Sequence, residues 1–148
     1  MKAYILPYGQ LNLPRSAMYG EREGDDIVKF PSYGVLVENE DSLVLFDTGC
    51  SMDPSRPDII PDMCEYSPED TIPSRLASVG FQPSDVKYVV FSHMHVDHAG
   101  DMQLFGNATF VAGKDEKEKM TTIYDPHMPE GLLDIFRTPE FNWKLIGL

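Results

Sequence analysis

The chain has 148 residues and a formal net charge of −12 at pH 7, with 42% hydrophobic and 24% charged residues. This length suits one hydrophobic core, so we expect a single domain over residues 1–148. The acidic balance and the lack of a lysine or arginine cluster exclude nucleic acid and an anionic membrane surface as partners, and no apolar run is long enough to cross a membrane.

The first part of the chain predicts three strands separated by polar segments. Residues 2–8 predict a strand that ends at a proline and a glycine, and residues 10–30 have no clean period and predict a loop or a flexible arm. The runs 33–37 and 43–46 are β-rich and flank a polar turn, which predicts a hairpin. Because the second run is apolar throughout, we expect it to be buried on both faces, as in a sheet covered by helices.

The N-terminus and the cysteines indicate a cellular location. The first residues are apolar too briefly for a secretory signal and carry no small-residue cleavage site, so we expect a cytoplasmic protein. Two cysteines, Cys50 and Cys64, do not make a disulfide framework, which fits a reducing compartment.

The hairpin is followed by Asp47-Thr48-Gly49. A carboxylate at the end of a buried strand, before a glycine that can turn sharply, is typical of a residue that faces a site. An aspartate that caps the following turn with its side chain explains the same pattern equally well. Cys50 comes next and is a candidate metal ligand, although a lone cysteine is more often a small buried hydrophobe.

The next segments alternate between loops and regular elements. Residues 51–65 are rich in proline and aspartate and predict a surface loop that borders a substrate cleft or is disordered. A helix over 73–79 and a turn at 83–85 precede the best strand of the chain, 86–91. Beyond residue 100 the sequence predicts a helical turn at 102–105, a strand at 108–111, a charged helix at 114–120, and then mostly loop with a terminal strand at 143–146.

The best strand leads into a dense group of possible metal ligands, Ser92-His93-Met94-His95-Val96-Asp97-His98-Ala99-Gly100, with three of the chain's four histidines. Imidazole and carboxylate at this density suit borderline-soft divalent metals such as zinc. Residues two apart in extended chain project to the same side, so we expect His93 and His95 to share one metal. A turn at Val96 then directs Asp97 and His98 toward a second metal ion. The alternative is an exposed loop in which histidines cluster by chance, and the scarcity of histidine elsewhere counts against it.

These residues, in this order, resemble the metallo-β-lactamase superfamily, whose hallmark is His-x-His-x-Asp-His after a buried strand, with an Asp-Thr-Gly-like element on an earlier strand. Residues 68–90 and Gly106-Asn107-Ala108-Thr109 are similar to its N-acyl homoserine lactonase branch. The resemblance implies an α/β (α+β) fold, the αβ/βα sandwich, of which this chain supplies roughly the N-terminal αβ half. It also implies two divalent metal ions, zinc first, with iron, manganese or cobalt as alternatives.

The resemblance also implies roles for residues of this chain. His93 and His95 hold one metal, and Asp97 and His98 hold the other. Asp97 also protonates the leaving alkoxide. Asp47 orients the loop that carries the ligands and does not itself bind a metal. The expected reaction is the opening of N-acyl homoserine lactones, known as quorum quenching. The alternatives are a thioester or phosphodiester hydrolase of the same fold and a catalytically inert fragment.

Part of the implied ligand set is absent from this chain. Members of the family are nearly twice this length, and their second half supplies a third histidine to the first metal and an aspartate and a histidine to the second. His127, the only histidine after His98, does not match the family's later motif, and we expect it in a surface loop. We therefore expect a fragment truncated at the C-terminus, with a cleaved second half or a second copy that completes the core as alternatives. An uncovered sheet face would promote association.

Overall fold

The structure of the protein, a computed structural model, describes residues 1–16, 26–53, 55, 62–122 and 130–147. Within these ranges seven strands form one sheet in the order β4-β1-β2-β3-β5-β6-β7. The strands are β1 (Lys2–Pro14), β2 (Ile27–Glu38), β3 (Leu43–Phe46), β4 (Cys64–Glu65), β5 (Val86–Val90), β6 (Thr109–Gly113) and β7 (Asn142–Ile146).

The sheet is mixed, with an antiparallel part and a parallel part. Strands β4, β1, β2 and β3 pair antiparallel, whereas β3, β5, β6 and β7 pair parallel. Parallel neighbours need crossover connections, and helices lie in these connections. The carboxyl ends of β3 and β5 therefore meet at one edge of the sheet, and the residues that follow them lie side by side.

Three α-helices lie wholly within the described ranges: α1 (Ile72–Ser78), α2 (Lys114–Thr122) and α3 (Glu130–Phe136). Short 3-10 turns occur at Pro68–Asp70, Pro83–Asp85 and Met102–Phe105. None of the helices described is long and apolar enough to span a membrane.

One face of the sheet forms the core, and on the other the described residues leave apolar side chains partly exposed. Leu6, Leu36, Leu45, Val89 and Phe110, each on a different strand, are at most 1% exposed. On the opposite face the strand register places five apolar side chains side by side, which we call the open ladder: Ile5, Val35, Phe46, Val90 and Val111.

The open ladder corrects one sequence prediction. The apolar run over 43–46 was expected to be buried on both faces, but Phe46 is 42% exposed. The run is apolar because its second face is a packing surface, which the described residues leave partly exposed at Phe46.

Two other segments differ from the sequence prediction. The strand expected over 2–8 continues to Pro14, because a register shift between Pro7 and Gln10, with Gly9 at φ 89°, lets the strand pass these residues. The arm expected over 10–30 is therefore partly strand, and residues 17–25 lie outside the described ranges. Helix α3 occupies a segment predicted as loop, because Leu132, Leu133, Ile135 and Phe136 are buried along one side.

The two cysteines are paired, whereas the sequence led us to expect no disulfide framework. Cys50 and Cys64 form a disulfide, with 6.7 Å between their Cα atoms, so Cys50 is not a free metal ligand. The bond connects the segment after β3 to β4, and β4 pairs with β1. Because disulfides persist mainly in oxidising compartments, the cysteines do not favour a reducing one.

Candidate metal centre

The histidine motif begins directly after β5, and its apolar residues anchor it. Met94 is 0% exposed and Val96 is 6% exposed, whereas His93 and His95 alternate with them and reach the surface. The backbone then turns, since the amides of His98 and Ala99 both donate to the carbonyl of His95 at 3.0 Å. The alternation predicted from the sequence therefore places the imidazoles on one side.

The turn brings His98 back to His93. Their ring centroids lie 4.1 Å apart, and those of His93 and His95 lie 4.6 Å apart. Asp97 Oδ2 is 3.1 Å from His98 Nε2. The four expected ligands are thus linked in a chain of contacts from His95 through His93 and His98 to Asp97.

Asp47 faces this cluster across the edge of the sheet. Its Oδ2 atom lies 2.9 Å from His98 Nδ1. Ser92 donates to the same carboxylate twice, from its amide to Oδ1 at 2.8 Å and from its hydroxyl to Oδ2 at 2.7 Å. The sequence left two interpretations of Asp47, a residue that faces a site and a cap of the following turn. In the structure its side chain contacts the site.

The backbones of the two loops are joined directly. Thr48 donates its amide to the carbonyl of His98 at 2.8 Å, and Gly100 donates to the carbonyl of Gly49 at 2.9 Å. The Thr48 hydroxyl donates to the carbonyl of Gly100. A Cβ atom on Gly100 would lie 2.1 Å from the amide nitrogen of Ser51, so only glycine fits there.

The charges of the cluster are coupled. Burial alone would lower the pKa of His98, but hydrogen bonds to Asp47 and Asp97 raise that pKa to about 9. Burial alone would raise the pKa values of both carboxyls. Contacts with His98, and for Asp47 also the hydrogen bonds from Ser92, outweigh burial and hold both pKa values below their ordinary range. Burial and the neighbouring imidazoles lower the pKa of His93. His98 thus has a carboxylate at each ring nitrogen, Asp47 at Nδ1 and Asp97 at Nε2.

Two contacts at the site were not predicted from the sequence. Ser92 orients Asp47, as described above, and Glu116 on α2 accepts a hydrogen bond from the amide of Met94 at 3.1 Å. Ser92 lies inside the motif, so a hydroxyl directly beside a ligand was a usable signal. Glu116 is one of several acidic residues on a charged helix, and nothing in the sequence distinguishes it.

A cleft of about 290 Å³ opens beside His98. Its polar wall is formed by Asp47, Ser92, Asp97 and His98, and its other wall is formed by residues of β1 and β2, which are Leu11, Pro31, Ser32 and Tyr33. The described residues of segment 51–65, expected to border a substrate cleft, do not line this one.

The donors fit a divalent metal in chemical type, but the described residues do not arrange them as a complete site. Imidazole and carboxylate are zinc ligands, and a carboxylate on the second ring nitrogen is typical of a ligating histidine. However, no group of three or more histidine, cysteine, aspartate or glutamate side chains in the described ranges is arranged to hold a metal ion. His127, the remaining histidine, lies outside those ranges.

Known proteins are similar to this chain in sequence. The family model described as Metallo-beta-lactamase superfamily matches residues 27–138. An N-acyl homoserine lactonase from Bacillus cereus is 29% identical over 156 aligned positions, which cover 98% of this chain and 59% of the relative. N-acyl homoserine lactonase AiiB from Agrobacterium fabrum is 29% identical over 135 positions, covering 82% of this chain and 48% of the relative.

A solved structure extends the likeness to three dimensions. An N-acyl homoserine lactone hydrolase, solved with the product N-hexanoyl-L-homoserine bound at its catalytic metal centre, aligns with a TM-score of 0.81 and 25% identity. The alignment covers 99% of this chain and 59% of that one. The expected fold is thereby confirmed, and the chain spans less than two thirds of the length of these relatives.

Proposed function

The chain belongs to the metallo-β-lactamase superfamily, and from that premise we propose that it contributes metal ligands to a hydrolase that opens N-acyl homoserine lactones. The observation that carries the proposal is the ordered row Asp47, His98 and Asp97 at the wall of the cleft. Its spacings are 2.9 Å and 3.1 Å. The relatives named lactonases support the substrate class.

We assign two roles to these residues, metal binding and proton transfer. His93, His95, Asp97 and His98 would hold divalent metal, zinc first, with iron, manganese or cobalt as alternatives. Such metals lower the pKa of water and polarise an ester carbonyl. Since the described residues do not complete a site, the remaining ligands are proposed to come from outside the described residues.

Asp97 is proposed to transfer the proton. Its carboxyl is ionised near neutral pH, as carboxyls ordinarily are, and can accept a proton from the attacking water. It then delivers this proton to the alkoxide oxygen that leaves when the ring opens. Water adds across the ester bond, and the product is a hydroxy acid.

The cleft fits an uncharged substrate with an apolar arm. Leu11, Pro31 and the ring of Tyr33, which is 56% exposed, face the polar wall. An acyl chain would lie against these residues, and the ester would lie beside Asp97. The charge of −12 agrees with a neutral substrate.

The test compares ring opening of N-hexanoyl homoserine lactone by the intact protein and two variants, after loading with zinc. We expect His95→Ala to lose about 100-fold or more of the rate, since removing a ligand exceeds the effect of removing a supporting residue. Glu40→Ala, at an exposed position in the turn between β2 and β3, is the control and keeps the rate. Full activity of His95→Ala contradicts the proposal, and hydrolysis of only thioesters or phosphodiesters transfers it to another substrate class.

A second candidate is a non-catalytic chain that binds metal weakly. It is favoured by the absence of a three-ligand group among the residues described. Metal content separates the two candidates. About two equivalents of metal together with lactone hydrolysis support the enzyme, whereas a metal-free chain without turnover supports the second candidate.

A further inference from the structure

Tyr8 lies beneath the loop that carries Asp47. It projects from β1 into the core and is 2% exposed. A Cβ atom on Gly49 would lie 2.6 Å from Tyr8 Cδ2 and 3.0 Å from Tyr8 Cγ, so the ring lies directly against this glycine. The phenol therefore occupies the space that a side chain at residue 49 would need.

The hydroxyl end of the same ring reaches β2. A Cβ atom on Gly34 would lie 2.6 Å from Tyr8 Oη and 2.7 Å from the carbonyl oxygen of Asp47. The tip of the ring and the backbone of Asp47 thus border the same narrow space. Tyr8 is wedged between β2 and the turn at residues 47–49.

This turn needs support because its conformation is unfavourable. Asp47 has φ 57° and Gly49 has φ 66°, both in the left-handed region. A non-glycine residue stays there only when its surroundings hold it. If the turn relaxed, the Asp47 carboxylate would leave His98 and Ser92, since both contacts depend on where the backbone places it.

The hydroxyl of Tyr8 is not what anchors the ring. It has no hydrogen-bond partner among the described residues. Burial, together with the carboxylates of Asp47 and Asp101, raises the pKa of the phenol, so it stays neutral. The support is therefore steric and comes from the ring.

We propose that Tyr8 is a positioning residue whose ring, fitted against Gly49 and Gly34, holds Asp47 in contact with His98. The contact joins two side chains of this chain and is defined by their 2.9 Å separation. Its importance for catalysis rests on the proposed function. Ordinary core packing is the competing explanation, and it predicts a loss of stability without a change at His98.

The experiment observes the Nδ1 proton of His98 by NMR at low temperature, in the intact protein without added metal. A proton held by a carboxylate gives a separate downfield resonance, which is assigned by its disappearance in His98→Gln. Tyr8→Phe keeps the ring and should keep the resonance. Tyr8→Ala and Tyr8→Leu remove the ring and should lose it, and the leucine variant keeps most of the buried volume in case the alanine variant does not fold.

Tyr4 provides the matched control. It lies on the same strand with its ring centroid 6.3 Å from that of Phe81, away from residues 47–49. Tyr4→Ala removes an equal ring and should keep the resonance. The proposal is overturned if Tyr8→Leu folds and retains the resonance, or if Tyr8→Phe loses it.

Lactone hydrolysis is measured on the same samples. If Tyr8 acts as proposed in an active enzyme, Tyr8→Leu lowers kcat with little change in KM, and Tyr8→Phe restores it. If no sample, including the unmodified protein, opens a lactone, the proposed function fails while the resonance still decides the role of Tyr8.

Discussion

Asp47 Oδ2 and His98 Nδ1 lie 2.9 Å apart, although 51 positions separate the two residues in the sequence. The two loops that carry them also share backbone hydrogen bonds, so the Asp-Thr-Gly turn and the histidine motif form one unit. A carboxylate on Nδ1 fixes the orientation of the imidazole, and the other ring nitrogen, Nε2, faces Asp97 Oδ2 at 3.1 Å.

The first prediction removes the charge of Asp47. Asp47→Asn keeps the size of the side chain but weakens its hold on His98, so zinc affinity should fall by about 10-fold to 100-fold. Calorimetric titration with zinc measures the change. Asp41→Asn, an exposed position in the turn between β2 and β3, changes the net charge equally and should bind as the unmodified protein does. Equal affinity in both variants would show that Asp47 does not support the ligand.

The second prediction concerns the closest approach of the two loops. Gly100→Ala places a Cβ atom 2.1 Å from the amide nitrogen of Ser51, and neither backbone can move without breaking the hydrogen bonds between the loops. The free energy of unfolding in urea should fall by about 2 kcal/mol or more. Gly106→Ala is the control, because a Cβ there meets nothing within 4 Å. It should change stability by less than about 1 kcal/mol.

Much of the fold was predictable because local signals and packing agree. β3 and β5 are runs of apolar and β-branched residues, and both form strands where expected. Helix α3 was missed because a glycine and a nearby proline weaken its local signal, and burial of its apolar residues outweighs that propensity. Propensity describes a segment alone and contains no information about what it packs against.

Part of the site was predictable from the sequence and part was not. The ligands of the histidine motif are adjacent in sequence, so their chemistry could be interpreted directly. Ser92 on Asp47 and Glu116 on Met94 span 45 and 22 positions, and Tyr8 contacts a turn about 40 positions away. Such contacts depend on strand order, which the sequence pattern alone left open.

The third prediction tests the disulfide. Cys50 and Cys64 are 14 positions apart, and a cross-link that closes a loop of about this length stabilises by about 3 kcal/mol in the chain-entropy account. Dithiothreitol should therefore lower the free energy of unfolding of the unmodified protein by roughly this amount. The double variant Cys50→Ala and Cys64→Ala should start lower and not respond to the reductant. An equal response of both proteins would show that the reductant acts elsewhere.

The fourth prediction concerns the open ladder. Its exposed members include Ile5, which is 73% exposed, and Phe46, which is 42% exposed. An apolar patch of this kind favours association. Phe46→Lys should shift sedimentation toward the monomer, because a charge at the middle of the ladder opposes contact with a second apolar surface. Gln10→Lys, at an exposed position outside the ladder, adds the same charge and should leave association unchanged.

The fifth prediction concerns the pH dependence of stability at Asp101. This carboxylate is buried at 2% exposure and accepts hydrogen bonds from Ser51, Met52 and Gln103. Burial raises its pKa above the ordinary value, and these hydrogen bonds offset only part of the effect. The folded state therefore binds the proton more tightly than the unfolded state. The stability that this group contributes is complete below its unfolded pKa and is lost as pH rises through its folded pKa.

Asp70 provides a control of opposite sign. Burial alone would raise its pKa, but hydrogen bonds from Ser67 and Arg75 outweigh it and lower the pKa. Its contribution is complete above its unfolded pKa and is lost as pH falls through its folded pKa. Free energies of unfolding in urea are compared for the unmodified protein, Asp101→Asn and Asp70→Asn across the acidic range. As pH rises, the unmodified protein should lose its advantage over Asp101→Asn and gain advantage over Asp70→Asn. Parallel curves for the two variants would contradict the assignment, because charges common to all three proteins cancel in these differences.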